Sequence, residues 1–261
     1  MNLHRFPCLI AALTLALSLL PAAFAQTLSA AQSEAKADQI LDRFLRVTGE
    51  LDALKGQTSR RDRGKMTLTG IGVSGDVEVL SKAPNKSRTT MKIAGIGEIT
   101  EAYDGTTAWV QDPIQGYREK TGLELAATVR QADFFMAANY KKHYPKREWL
   151  GVETLNGTKV DKVRLHPAEG SPETWFLARE SGLLLRMDSV SNMPQGDIES
   201  QIYLEDYKKI EGTMEPMRIR VVNPLAPITM ELSSSEINVE LDDSLFTSPR
   251  AKGGEEIIVV H

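Results

Sequence analysis

The chain has 261 residues with 31 Lys plus Arg against 35 Asp plus Glu, one Cys, and a formal net charge of −4. Its charges are scattered and mildly acidic in balance, which argues against nucleic acid as a partner. The one thiol, Cys8, lies in the N-terminal apolar stretch. Everything after it is therefore without disulfides, thiolate metal ligands or a Cys nucleophile, and has to be stabilised by core packing.

Residues 1–25 place Arg5 before an apolar run over 9–20, then Pro21 and the small-residue pattern Ala23-Phe24-Ala25. This is the pattern of a secretory signal cleaved before Gln26. The apolar run is shorter than the ~20 residues a membrane-spanning helix needs. Cys8 sits inside that run with no small-residue cleavage motif before it, so no lipid anchor is expected. The expected mature chain is soluble and carries a charge of −5, because Arg5 is the one charged residue removed. At this length one large β-rich domain and two smaller ones are equally open.

A helix is expected over residues 29–48. Ser29 and Gln32 form a capping-box pair, and Ala37, Ile40, Leu41, Phe44, Leu45 and Thr48 share one stripe before the stop at Gly49. From Gly64 the period becomes two, in Met66 and Leu68, Val77 and Val79, then Met91 and Ile93. Residues 103–110 read as strand, Asp104-Gly105 turn and strand, with Trp109 on the outgoing strand. One segment breaks this pattern. Thr121 and Glu124 resemble a capping box, and Leu125, Val129, Ala132, Met136 and Tyr140 recur at helical spacing, with Phe134 and Phe135 widening the apolar face.

Strands resume at residues 149–152 and pass through the Asn156-Gly157 hairpin signal to Val163 and Leu165. A hairpin over 173–190 turns at Glu180-Ser181-Gly182, and strands follow over 198–210, 214–222 and 228–241. Ile228, Met230 and Leu232 are even-numbered whereas Ile237, Val239 and Leu241 are odd, so a β-bulge is expected at the serines 233–235. About eleven antiparallel strands are too many for a flat sheet. The fold class expected is mainly β with helices (α+β), a strongly curved antiparallel sheet whose concave side is covered by helices.

Catalytic and cofactor motifs are weak. Residues 70–75 match GxGxxG, but the alternating stretch 76–80 follows where a dinucleotide fold needs a helix, so the match reads as a turn. His143, His166 and His261 lack paired spacing, and no metal or other cofactor is expected. There is no G-x-S-x-G elbow, and Asp104, Asp112, Asp242 and Asp243 sit in turns, where they serve local hydrogen bonding. Nothing favours a glycosidase carboxylate pair. The basic stretch 140–147 reads as a solvated loop in preference to a contact with anionic headgroups.

The order of Gly75-Asp76-Val77, Lys82-Ala83-Pro84-Asn85, the Asp104-Gly105 to Trp109 hairpin with Asp112-Pro113, and the ending Asp243-Ser244-Leu245-Phe246 resembles the LolA/LolB family of periplasmic lipoprotein carriers. The resemblance implies an unclosed β-barrel over residues 26–249, followed by a tail over 250–261. It also implies a periplasmic location and a hydrophobic cavity for acyl chains of a lipoprotein or other lipid being sorted to the outer membrane. Partners implied are that cargo and a membrane transport partner, with transient membrane contact. The family's Arg before the Pro-Asn turn, which ties down the lid, is Ala83 here. With the helical insertion as lid, Leu125, Val129, Phe134, Phe135 and Met136 are the expected ligand-facing residues and Trp109 a wall residue, although each taken singly reads equally as core. The alternative is a sensor of the same fold that binds a membrane-protein partner, and an enzyme ranks below both.

Overall fold

The computed structural model describes residues 28–53, 56–193 and 196–252, so the expected signal over 1–25 and most of the expected tail lie outside the described residues. Helix α1 (Ala30–Thr48) begins with the capping box read from the sequence: Ser29 Oγ accepts from Gln32 N–H, and Gln32 Oε1 accepts from Ser29 N–H. It stops at Gly49, which takes the left-handed conformation at φ 76°, and the short α2 (Glu50–Ala53) follows.

Six strands then run as successive hairpins, β1 (Ser59–Leu68), β2 (Val73–Lys82), β3 (Lys86–Ile93), β4 (Gly97–Tyr103), β5 (Ala108–Asp112) and β6 (Gly116–Glu119). After α3 (Gly122–Ala132) and α4 (Tyr140–His143) come β7 (Lys146–Leu155), β8 (Thr158–His166), β9 (Glu173–Ala178), β10 (Leu184–Met193), β11 (Gly196–Ile210), β12 (Thr213–Val222) and β13 (Ile228–Ile237). All are antiparallel in one sheet of thirteen strands, with spatial order β6-β5-β4-β3-β2-β1-β13-β12-β11-β10-β9-β8-β7. Pairing of β1 with β13 joins two meanders. The free edges are β6 and β7, and the chain between them is the helical insertion, which therefore spans the gap that leaves the barrel unclosed.

Among the described residues the count is thirteen where about eleven were read, because short strands such as β6 show no apolar alternation. The Asp104-Gly105 stretch is a hairpin, as expected: Asp104 Oδ1 accepts from the N–H groups of Thr106 and Thr107. The expected bulge is also present. Gly64 faces Leu232 and Arg63 faces Ser234, which leaves Ser233 unpaired in the ladder while its hydroxyl donates to the Arg63 carbonyl. Glycine is required at position 64, because a Cβ there would run into the Glu231 carbonyl. The strand ends at Ile237, short of the expected residue 241, because Asn238 turns the chain at φ 57°. Beyond it Leu241 and Phe246 pack on Leu80, and Asp243 pairs with Lys82 (2.7 Å) and Lys86 (2.8 Å).

Among the described residues no helix is long and apolar enough to cross a membrane.

Two outcomes follow. Gly64→Ala is expected to lower unfolding stability by about 1–3 kcal/mol in a denaturant titration, through overpacking at the bulge. A loss below ~0.5 kcal/mol would show that the close approach is not rigid. The Lys82 and Lys86 ammonium groups depress the Asp243 carboxyl from 3.8 to about 2. A carboxyl with a depressed folded pKa adds stability that is complete above its unfolded value and is lost as pH falls through the folded one. Asp243→Asn should therefore flatten the acid limb of the stability profile between pH 4 and pH 2. An unchanged acid limb would contradict the pairing.

Candidate functional site

Strand register places apolar side chains in continuous rows on one face. Direct pairing runs Trp175, Met187, Ile202, Val221, Ile228, Leu68, Val73 across seven strands from β9 to β2. A parallel row holds Leu204, Ile219, Met230 and Met66, and Val77, Met91 and Ile99 extend the same face into β4. This is the period-two pattern of the sequence carried into three dimensions.

Both main helices lie on this face. Leu41, Phe44 and Leu45 of α1 form a core with Val163, Leu165, Trp175, Leu177 and Leu184. Leu125 and Ala132 of α3 pack on Tyr103 and Ala108. Helix α3 also touches β10. In the sheet order β4 and β10 are seven strand spacings apart, about 34 Å if flat, far wider than a helix ~10 Å across. The sheet therefore curls round α3, and the apolar face is the concave one. Its centre is a cluster of Met66, Val77 and Ile93, with Leu68, Val79, Met91, Ile99, Ile228 and Met230 half-buried against it, and that cluster contains no helical residue.

Helix α3 is fixed by polar contacts at both ends. Arg118 grips Glu124 (2.6 Å), and Arg130 reaches the buried Glu173 (3.1 Å), which also accepts from Tyr144 Oη (3.0 Å) and Trp175 Nε1 (3.2 Å). Burial first, then the Glu173 charge, pushes the Tyr144 phenol far above its ordinary value, so it remains a donor to the carboxylate. The lid segment is also tied by backbone, as Phe134 N–H donates to the Pro84 carbonyl (3.0 Å).

The insertion differs from the sequence reading in two ways. It is not one helix to Tyr140: α3 ends at Ala132, where Asp133 turns extended (φ −60°, ψ 111°) and its carboxylate accepts from Phe135 N–H. That side-chain acceptor replaces the helical carbonyl and breaks the run. Nor does Thr121 cap the helix, because Glu124 is engaged by Arg118. Burial raises the Asp133 carboxyl, but His143, Asn139 and the Phe135 N–H together hold it below the ordinary range. This Asp133–His143 contact (2.6 Å) went unseen in the sequence, where His143 reads as a loop residue.

The expected ligand-facing residues are partly assembled. Leu125 faces Tyr103 and Ala108, while Val129 is 38% exposed. Phe134 and Phe135 meet edge to face (5.2 Å, 81°) on the turn after α3, and Met136 packs against the α1 core. Phe134 and Met136 also line a cavity of about 320 Å³ with Arg60, Asp62, Glu215 and Gln131. There Arg60 pairs with Asp62 and Glu215, both at 2.8 Å.

Trp109 is on the other face and cannot be a wall of this site. Ala108 takes the concave side, so its neighbour points to the convex one, where Trp109 stacks on Tyr117 and donates to the Phe246 carbonyl (3.0 Å). The basic stretch is also committed: Arg147 is buried on Asp38 and Glu34 of α1, both at 2.6 Å. The larger cleft of about 790 Å³ is convex and bordered by charge, including Arg63, Lys65, Glu78 and Lys92, which suits an acyl chain poorly.

No family model matches the sequence, and no curated protein matches it at a significant level. Solved structures do match. A DUF1329 family protein from Desulfovibrio piger aligns with a TM-score of 0.56 at 16% identity, covering 81% of this chain and 97% of that one. A LolA superfamily protein from Nitrosomonas europaea aligns at 0.54 and 18% identity, with the same coverage. An outer membrane lipoprotein-sorting protein domain, so assigned, from Vibrio parahaemolyticus aligns at 0.53 and 11% identity over 79% of this chain and 97% of that one. At these identities the likeness is one of fold, and the fold is LolA/LolB-like.

Removing Glu173 strands the buried Tyr144 and Trp175 donors together with the part-buried Arg130. Glu173→Ala is expected to cost about 3–5 kcal/mol of stability. Lys65→Ala, which breaks an ion pair whose partners are both mostly exposed, should cost under ~1 kcal/mol. Equal losses in thermal or denaturant unfolding would mean that Glu173 does not hold the insertion in place.

Proposed function

We propose that the protein is a carrier for acyl chains of lipoproteins or other lipids, exported to the periplasm and serving their sorting to the outer membrane. The observation that carries this reading is the central concave cluster, apolar across adjoining strands and bare of helical residues. The half-buried Leu68, Val79, Met91, Ile99, Ile228 and Met230 around its buried centre keep some apolar surface in water, and a bound hydrocarbon chain removes that hydration cost. The LolA-like fold of the solved relatives supports the same reading.

Magnitude favours an open cradle over a sealed cavity. Full burial of a sixteen-carbon chain at ~0.8 kcal/mol per CH₂ approaches ~12 kcal/mol, near nanomolar affinity before costs are deducted. Cargo held so tightly is not released on a useful timescale. A half-open face takes part of the chain out of water and leaves the rest available for transfer. Helix α3 and the turn behind it act as the lid, with Leu125, Val129, Phe134, Phe135 and Met136 on the cargo's path. Ala83 is too short to latch them, and Arg130 on Glu173 takes that role.

The reading is tested on the half-exposed methionines. Met91→Asn with Met230→Asn should lower binding of a fluorescent fatty acid severalfold while the protein unfolds at nearly the parent temperature, because neither residue is fully buried. Unchanged probe affinity in this folded variant would remove the concave face from consideration as the lipid site.

A further inference from the structure

The three most exposed large apolar side chains among the described residues are Ile114 (81%), Leu225 (73%) and Ile71 (69%), and the next falls below half exposure. They are far apart in sequence, but strand pairing gathers their turns on one rim. Leu68 faces both Val73 and Ile228, so the β1–β2 turn bearing Ile71 and the β12–β13 loop bearing Leu225 leave the sheet side by side. Thr69 N–H donates to the Pro227 carbonyl between them (2.9 Å). Ile93 faces both Gly75 and Gly97, which puts the β3–β4 turn on the same rim, and Gly97 lies against Pro113, the neighbour of Ile114.

The turns of the two rims differ in charge. Residues 69–72, 94–96, 113–115 and 223–227 contain no Asp, Glu, Lys or Arg. On that rim Asp112 and Asp197 flank the β5–β6 and β10–β11 turns, Glu169 lies in the β8–β9 loop, and Lys146 opens β7. At the opposite rim Lys82 and Lys86 flank the β2–β3 turn, Asp104 lies in β4–β5, Arg179 and Glu180 in β9–β10, and Glu211 in β11–β12. The C-terminal end of α1 and helix α3 lie toward the opposite rim: Gly49 at the end of α1 meets the Gly212 carbonyl, and α3 packs on Tyr103 and Ala108 beside the Asp104 turn. The helix-free cluster, with Leu68, Val73, Ile96 and Ile228, opens toward the rim of the uncharged turns.

Each tip is also internally satisfied. The Ile71 N–H donates to the Leu68 carbonyl (3.2 Å), Ile114 N–H to Asp112 Oδ1 (2.6 Å), and Leu225 N–H to Asn223 Oδ1 (2.9 Å). A turn whose tip donor is already bonded enters an apolar medium without stripping water from that group. A protein partner is met by a contiguous patch with a packed central anchor. Here single side chains stand apart round an open mouth, which fits a fluid layer in which each tip finds its own depth.

We infer that the uncharged turn tips of this rim dock on a phospholipid bilayer, with Ile71, Ile114 and Leu225 entering the interfacial region and the mouth of the concave face held against the lipid. The docking surface stands on its own observations and rests on the carrier reading only for what passes through the mouth. Because attraction comes from apolar burial and not from charge, it requires no anionic lipid and resists salt.

Flotation with phosphatidylcholine vesicles at low and high salt tests it. The parent is expected to float with the vesicles at both salt levels, and Ile71→Ser with Ile114→Ser and Leu225→Ser to reduce association by at least about tenfold. Lys208→Ser with Lys209→Ser, beside the opposite rim, should associate like the parent. The triple variant should bind a fluorescent fatty acid in vesicle-free buffer as the parent does, which separates docking from cargo binding. The inference is overturned if the parent does not float, if high salt releases it, if the triple variant floats equally, or if the triple variant loses only fatty-acid binding.

Discussion

A single sheet with one apolar face has to hide that face without a second sheet to pack on. Among the described residues the thirteen strands form one sheet, and the means available is curvature. The Gly64–Ser233 bulge bends the seam where the two meanders join, and the insertion between β6 and β7 lies across the opening left by incomplete closure. Helices then cover the β9–β10 side and the β4–β5 side of the concavity, leaving its centre to strand side chains alone. Arg130 on Glu173 belongs to the same logic. A buried ion pair is an inefficient stabiliser, but it fixes one geometry, here the position of α3 over the concave face.

The convex face is covered in a different way: the C-terminal segment packs over Leu80 and Trp109, and polar side chains cover much of the rest. Direct pairing aligns Lys162, Phe176, Arg186, Tyr203 and Arg220 across five strands. Cations and rings alternate in that row: the Arg186 guanidinium lies 3.9 Å from the Phe176 ring centre and Arg220 lies 4.0 Å from that of Tyr203. Asp188 and Glu205 neutralise the two arginines. The cation and ring row thus belongs to the convex face, while the centre of the concave face is hydrocarbon.

Much of this architecture was legible because it is written in short-range patterns. Ser29 with Gln32, Gly49, Asp104-Gly105 and the phase change at Ser233 each act through neighbours a few residues away, and each appears where the sequence placed it. What stayed hidden depends on contacts across long separations. Periodicity alone ran the inserted helix on to Tyr140, since nothing local reveals that Asp133 is held by Asn139 and His143. Trp109 looked like a cavity wall because an aromatic on a strand is ambiguous by one residue of alternation. Strand pairing of Ala108 with Tyr103 and the docking of Phe246, 137 residues later, assign it to the convex side. Glu173 gave no signal, as its partners come from α3, the α4–β7 connection and its own strand.

The central claim is that hydrocarbon lies on the concave rows, and a photoreactive fatty acid with peptide mapping of its adducts tests this most directly. The account predicts adducts concentrated on concave side chains such as Leu68, Met91, Ile228 and Met230, and competed away by unlabelled fatty acid. Adducts confined to the convex cleft around Lys65 and Lys92, or no competable adducts at all, would contradict it.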